Sequence, residues 1–112
     1  MTAPFFIHLI SSYFGAMQQK PLITIVYCPK CGWLLRAAYL AQELLTTFVE
    51  DVHGVTLVPS EISGRFSVSV NENIIFDRKV AGRFPETKEL KQLVRDLVNP
   101  AKDLGHSDRK SV

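Results

Sequence analysis

Cys28 and Cys31, separated by Pro29 and Lys30, are the only two cysteines in a chain of 112 residues. A Cys-X-X-Cys pair can contribute half of a zinc site, exchange electrons with another thiol–disulfide pair, or sit as two inert buried thiols. The flanking residues bear on the choice. Upstream, "LITIVY" (22–27) is the continuous β-branched run expected of a strand buried on both faces. Downstream, "GWLLRAAYLAQELLTTF" (32–48) places Leu34, Ala37, Ala38, Ala41, Leu44, Leu45 and Phe48 at helical spacing. Cys31 and Gly32 are therefore expected to begin a helix, with Cys28 just outside its N-terminus. Unpartnered N–H groups and the positive end of the helix dipole favour a thiolate there. Pairs so placed commonly have one thiol pKa lowered to about 7 or below. Lys30 adds a cation between the sulfurs, and Pro29 fixes φ and restricts the turn.

"CPKCG" also occurs in zinc knuckles, but a structural zinc site needs four ligands, usually a second pair at a set distance. His8, His53 and His106 stand singly. A knuckle is usually followed by a tight turn and a short strand, not by a long amphipathic segment. Only a Cys₄ site shared between two copies would rescue zinc, so the redox reading outweighs it, and no metal or cofactor is expected. Trp33, the lone tryptophan, has two readings: an apolar shelf for a partner's disulfide, or ordinary helix–sheet packing. Tyr27 ends a strand and His53 precedes Gly54 in a turn, positions that are more often structural. No Ser/His/Asp set, paired-carboxylate site or glycine-rich phosphate loop stands out.

The elements that must position the pair follow from the rest of the pattern. "VTLVP" (55–59) is a short strand closed by Pro59, and "SEISG" is a loop. "RFSVSV" (65–70) alternates with period two; "NEN" (71–73) signals a turn into "IIFDRK" (74–79), so 65–79 reads as an antiparallel hairpin. Pro85 sits at a favoured first helical position, and Leu90, Leu93, Val94, Leu97 and Val98 repeat at helical spacing before Asn99-Pro100. The order β-α-β-β-β-α predicts a small mixed α/β (α+β) sheet, with a right-handed crossover making its first two strands parallel. Residues 1–20 are expected to form an N-terminal extension, possible start codons including Met17. Residues 21–98 form the domain and 99–112 a flexible polar tail.

The net charge of +2 is too small to argue for nucleic acid, although it is uneven. Residues 1–77 carry four Lys/Arg against six Asp/Glu, and residues 78–112 carry nine against five. That imbalance is read as a solvated basic helix and tail. No apolar run approaches the roughly 18 residues of a membrane span. "MTAPFFIHLISSYFGAM" lacks the charged n-region and cleavage site of a leader. The expected location is cytoplasmic.

Three separated segments carry a family resemblance: "ITIVYCPKCGWLLRAAYLAQELLTTF", "GRFSVSVNENIIFDRK" and "GRFPETKELKQLVRDLV". In this order they resemble the selenoprotein W-related (Rdx) family, specifically its bacterial cysteine-containing members, over about residues 21–98. The resemblance implies a thioredoxin-like fold with four strands and two helices. Cys28 matches the family's first motif cysteine, and Cys31 the position that is selenocysteine in the selenoproteins. By thioredoxin-type logic the first cysteine attacks and the second resolves. Cys28 is accordingly expected to be the nucleophile, on the premise that the second cysteine is the less exposed. Pro59 is separated from "RFSVSV" and does not copy the proline that thioredoxins set directly before a strand. The loop 59–65 is still expected to border the sulfurs, with Ser60 or Ser63 in contact. The expected partners are protein disulfides or glutathionylated proteins, with glutathione or thioredoxin as reductant. A non-enzymatic redox-sensing adaptor is the alternative.

Overall fold

The computed structural model describes residues 19–105. Its strands and helices are β1 (Leu22–Tyr27), α1 (Leu34–Phe48), β2 (Gly54–Pro59), β3 (Phe66–Val70), β4 (Asn73–Asp77), α2 (Arg78–Ala81) and α3 (Thr87–Val98). The sheet has four strands in the order β2-β1-β3-β4. β1 pairs with β2 in parallel and with β3 antiparallel, and β3–β4 is the expected hairpin. This is a mixed, thioredoxin-like sheet with its helices packed on it.

One core lies between the sheet and the two long helices. Ile23, Ile25 and Tyr27 of β1 and Phe66, Val68 and Val70 of β3 meet Ala37, Leu40, Ala41, Leu44 and Phe48 of α1 and Leu90 and Val94 of α3. β1 is thus fully buried on one face only. Thr24 and Val26 are half-buried, because α1 and α3 share a single face of the sheet and touch each other. The expectation of a strand buried on both faces is corrected accordingly.

Several boundaries also shift. Helix α1 begins at Leu34, since Gly32 adopts φ +78°, outside the helical region, and Trp33 is the cap residue. β4 stops at Asp77, whose side chain accepts a hydrogen bond from Lys79 N–H at 2.9 Å and turns Arg78–Ala81 into the short α2. Pro85 precedes the cap residue Glu86 rather than opening α3; Glu86 and Glu89 form a reciprocal capping box instead. The hairpin turns on Asn71, at φ +53°, and its Oδ1 accepts Leu22 N–H at 3.0 Å. Beyond α3, Asn99 Nδ2 donates to Asp51 Oδ1 at 3.1 Å, Lys102 pairs with Asp51 at 3.1 Å, and Leu104 packs on the core. Met17, His8 and His106 lie outside the described residues, as do most of the N-terminal extension and the end of the polar tail.

Candidate redox site

The sulfurs sit where β1 leaves the sheet. Gly32 N–H donates to Pro29 O at 3.1 Å and Trp33 N–H to Cys28 O at 3.3 Å, folding residues 28–33 into a tight turn. In that turn Cys28 and Cys31 are joined by a disulfide, with Cα atoms 5.3 Å apart. Gly32 permits the left-handed backbone that ends the turn, and a side chain there would meet open space. Only the backbone conformation calls for glycine.

The correction to the helix start changes the electrostatic account. The motif precedes α1 rather than opening it, and a helix dipole acts mainly within the first turn. A local group takes over: Cys31 N–H points at Cys28 Sγ at 3.2 Å. A donor so aimed favours the thiolate of Cys28 once the disulfide opens.

Exposure runs opposite to the sequence expectation. Cys28 is 1% exposed and Cys31 is half-buried. The premise that the second cysteine is the more hidden therefore fails. Cys28 directly follows a central strand of the sheet, whereas Cys31 lies on the outer limb of the turn.

Beside the turn is a cavity of about 410 Å³, lined by Cys28, Pro29, Lys30, Pro59, Ser60, Glu61 and Ser63. Parallel pairing explains it: Tyr27 is opposite Pro59, and Ser60 N–H donates to Tyr27 O at 2.7 Å. The loop after β2 is thereby held against the motif, bringing both Ser60 and Ser63 to the site as expected. Among the described residues no group of three or more His, Cys, Asp or Glu side chains assembles, and His53 is an exposed turn residue.

Trp33 combines its two readings. It packs edge-on against Phe84 at 4.8 Å and Phe66 at 6.3 Å, and those two rings meet at 5.2 Å. Arg78 lies over the Trp33 ring at 4.7 Å, and Arg36 over Phe84 at 4.0 Å. Yet Trp33 also lines an open depression of about 540 Å³ with Gly32, Leu35, Arg36 and Tyr39. Phe66, Phe84, Arg36 and Arg78 are absent from the sequence-level site. A signal for the rings exists in retrospect: Gly-Arg-Phe occurs at 64–66 and again at 82–84. Both glycines have positive φ, 79° and 74°, and both phenylalanines turn into this cluster.

A four-stranded mixed sheet with a Cys-X-X-Cys disulfide at the end of its first strand defines a thioredoxin-like CxxC protein. The family model of the Rdx family matches residues 22–96, and the chain belongs to that family. A selenoprotein W-related protein from Vibrio cholerae is 49% identical with a TM-score of 0.69, covering 72% of this chain and all (100%) of that one. A crystal structure from Bordetella parapertussis is 52% identical with a TM-score of 0.67, covering 70% of this chain and 98% of that one. Migration and invasion enhancer 1 of Mus musculus is 30% identical over 79 residues, 69% of this chain, which spans only 64% of that relative's length. No helix among the described residues is long and apolar enough to cross a membrane.

Proposed function

We propose that the chain is a thiol–disulfide oxidoreductase working through Cys28 and Cys31 in a reducing, cytoplasmic compartment. Its targets on this reading are protein disulfides or glutathionylated proteins, and glutathione or thioredoxin returns it to the dithiol. The carrying observation is the asymmetry of exposure: Cys31 is half-buried, whereas Cys28 is 1% exposed. This reverses the order of attack expected from sequence. Cys31 thiolate attacks a target sulfur, and the other target sulfur leaves as a thiolate and takes up a proton. Cys28 thiolate then attacks Cys31 Sγ and expels the second target sulfur. Two electrons pass from the dithiol to the target, and the motif is left as the disulfide. Lys30 lies beside both cysteines in sequence and at the rim of the cavity, where its charge favours the thiolates. Pro29 holds the turn, and Trp33 offers an apolar surface in the neighbouring depression, with Leu35 and Tyr39.

Mass spectrometry of the protein poised in glutathione buffers tests the chemistry. The expected result is one cooperative conversion to an intramolecular disulfide at about −200 to −270 mV. Thiols that stay reduced across the series would end this reading. Cys28→Ser should accumulate mixed disulfides on Cys31, while Cys31→Ser should not; the opposite pattern restores Cys28 as first attacker.

A second reading, the redox-sensing adaptor, is favoured by one feature. Leu34, Leu35 and Tyr39 are exposed beside the motif, Leu35 by 81%. An adaptor would hold its partner without a covalent link and in one redox state only, which the same trapping variants reveal.

A further inference from the structure

On the far side of loop 60–64 from the disulfide is a second cavity, about 200 Å³, lined by Ile62, Ser63, Gly64, Arg65, Asp77, Arg78 and Lys79. Ser63 lines both cavities, so they adjoin. Their linings differ in charge. The disulfide cavity has Lys30 against Glu61, whereas the second has three cations against the single carboxylate of Asp77. Asp77 Oδ1 is already engaged by Lys79 N–H. None of the three cations has a carboxylate partner among the described residues. Arg65 and Lys79 are exposed, while the Arg78 guanidinium stacks over Trp33 and over Phe84 at 5.0 Å. What the recess offers an anion is its charge: three cations against one carboxylate, and a carboxylate is an anion that a guanidinium can pair with bidentately.

Strand register sets the reach. Tyr27 is paired with Phe66, and Ser67 with Asp77. Carrying the register one residue on sets Cys28 opposite Arg65 and Arg78 opposite Phe66. The three therefore gather at one end of three adjacent strands, with Arg78 one residue out of the row of Cys28 and Arg65. Two strand spacings place Arg78 about 10 Å from Cys28, which an extended peptide at about 3.3 Å per residue covers in three residues. The Arg78 guanidinium over Trp33 leans back toward the motif.

We infer that Arg65, Arg78 and Lys79 form a carboxylate-binding subsite that selects protein targets bearing an acidic residue about three positions from the exchanging cysteine. This rests on the exchange reading above and adds the substrate class. The same carboxylate chemistry is carried by a small thiol such as glutathione, but the reach across the loop fits an extended protein segment.

The test is single-turnover reduction, by the pre-reduced protein, of two disulfide-linked peptide dimers. They are identical except for Asp or Asn three residues to either side of the cysteine. Each rate is divided by that of dithiothreitol on the same dimer, which removes differences in intrinsic reactivity. At about 10 mM ionic strength the Asp dimer should react about tenfold faster, falling to within about threefold at 0.5 M as screening sets in. Arg65→Gln/Lys79→Gln should bring the ratio near one, while Lys20→Gln, at the opposite end of β1, should leave it unchanged. Equal rates for the two dimers at low salt, or a ratio that survives the double substitution, would overturn the subsite alone. If glutathione disulfide loses rate in the double variant and the Asp dimer does not, the recess serves the small thiol and the protein-segment assignment fails. Reduction of no dimer at all would overturn the exchange reading and this inference together.

Discussion

The two ends of β1 carry cavities of nearly equal size, about 410 Å³ beside Cys28 and about 430 Å³ beside Leu22. The second is lined by Gln19, Lys20, Leu22, His53 and Asn71. Both ends are closed by a residue at positive φ, Gly32 at one and Asn71 at the other. What differs is how the backbone donors are spent. At the Leu22 end, the N–H of Leu22 is taken by Asn71 Oδ1, Asn71 N–H by Leu22 O at 2.8 Å, and His53 N–H by Pro21 O at 2.8 Å. At the cysteine end, Gly32, Trp33 and Ser60 N–H also bond to carbonyls, but a further N–H is aimed at a sulfur, and guanidinium groups rest on aromatic faces. One end closes the sheet, and the other keeps polar groups available for an incoming reactant. Cavity volume alone does not separate them.

The most severe way to break that contrast is Phe66→Ala. Phe66 is fully buried, opposite Tyr27, and in contact with Trp33 and Phe84. Its loss should cost about 3–5 kcal/mol in urea unfolding. It should also shift the emission of the single tryptophan, because the wall beside the cysteines collapses. Normal stability with unchanged Trp33 emission would mean the ring cluster does not hold the cysteine end.

Gly32→Ala isolates the turn. Nothing crowds a side chain there, so the expected cost of about 1–2 kcal/mol comes from the left-handed backbone alone. Thiol exchange should slow with it, since the turn that aims Cys31 N–H is strained. A variant with reduced stability but an unaltered exchange rate would separate the turn from the chemistry.

Asn71→Gly is the matching change at the other end. It keeps the positive φ and removes only the acceptor for Leu22 N–H, so about 1 kcal/mol should be lost in denaturant unfolding. Exchange rates should not change. A slowed exchange would show that the two ends of the strand are coupled.

The smallest effect concerns Arg83, beside the aromatic cluster, and Glu89. Arg83 donates two hydrogen bonds to the Glu89 carboxylate, at 2.8 and 2.7 Å, and holds it below its ordinary pKa. A carboxylate whose folded pKa is depressed adds stability above its unfolded value, near 4.3, and loses it as pH falls through the folded value. Glu89→Gln should flatten the acid limb of the stability profile below about pH 4.3, with little change in exchange at neutral pH. A parallel shift across the whole pH range would instead point to the capping box, in which Glu89 also accepts Glu86 N–H at 3.3 Å.

Much of the architecture was legible in the chain. The period-two alternation of 65–70, the Asn-Glu turn and the amphipathic 34–48 stretch are local patterns, and each became the expected element. The element borders were less legible, for a specific reason. Gly32 and Gly82 both take positive φ, which composition permits but does not require. At Gly32 this moves the helix start by three residues, from Cys31 to Leu34, and takes Cys31 out of it. The cysteine spacing pointed to the reactive pair, and parallel pairing then brought Pro59, Ser60 and Ser63 beside it.

What the sequence by itself determined is the chemistry on offer: two thiols, Lys30 and Pro29 between them, a strand before and a helix after. These are properties of neighbours along the chain, set by residue type and short-range sterics. Which sulfur is covered, what Trp33 leans on, and where Arg65, Arg78 and Lys79 gather were decided only by tertiary structure. Burial depends on what the strand beside Cys28 packs against. The cationic recess depends on the hairpin, which brings Arg78 and Lys79, just past β4, beside Arg65, just before β3.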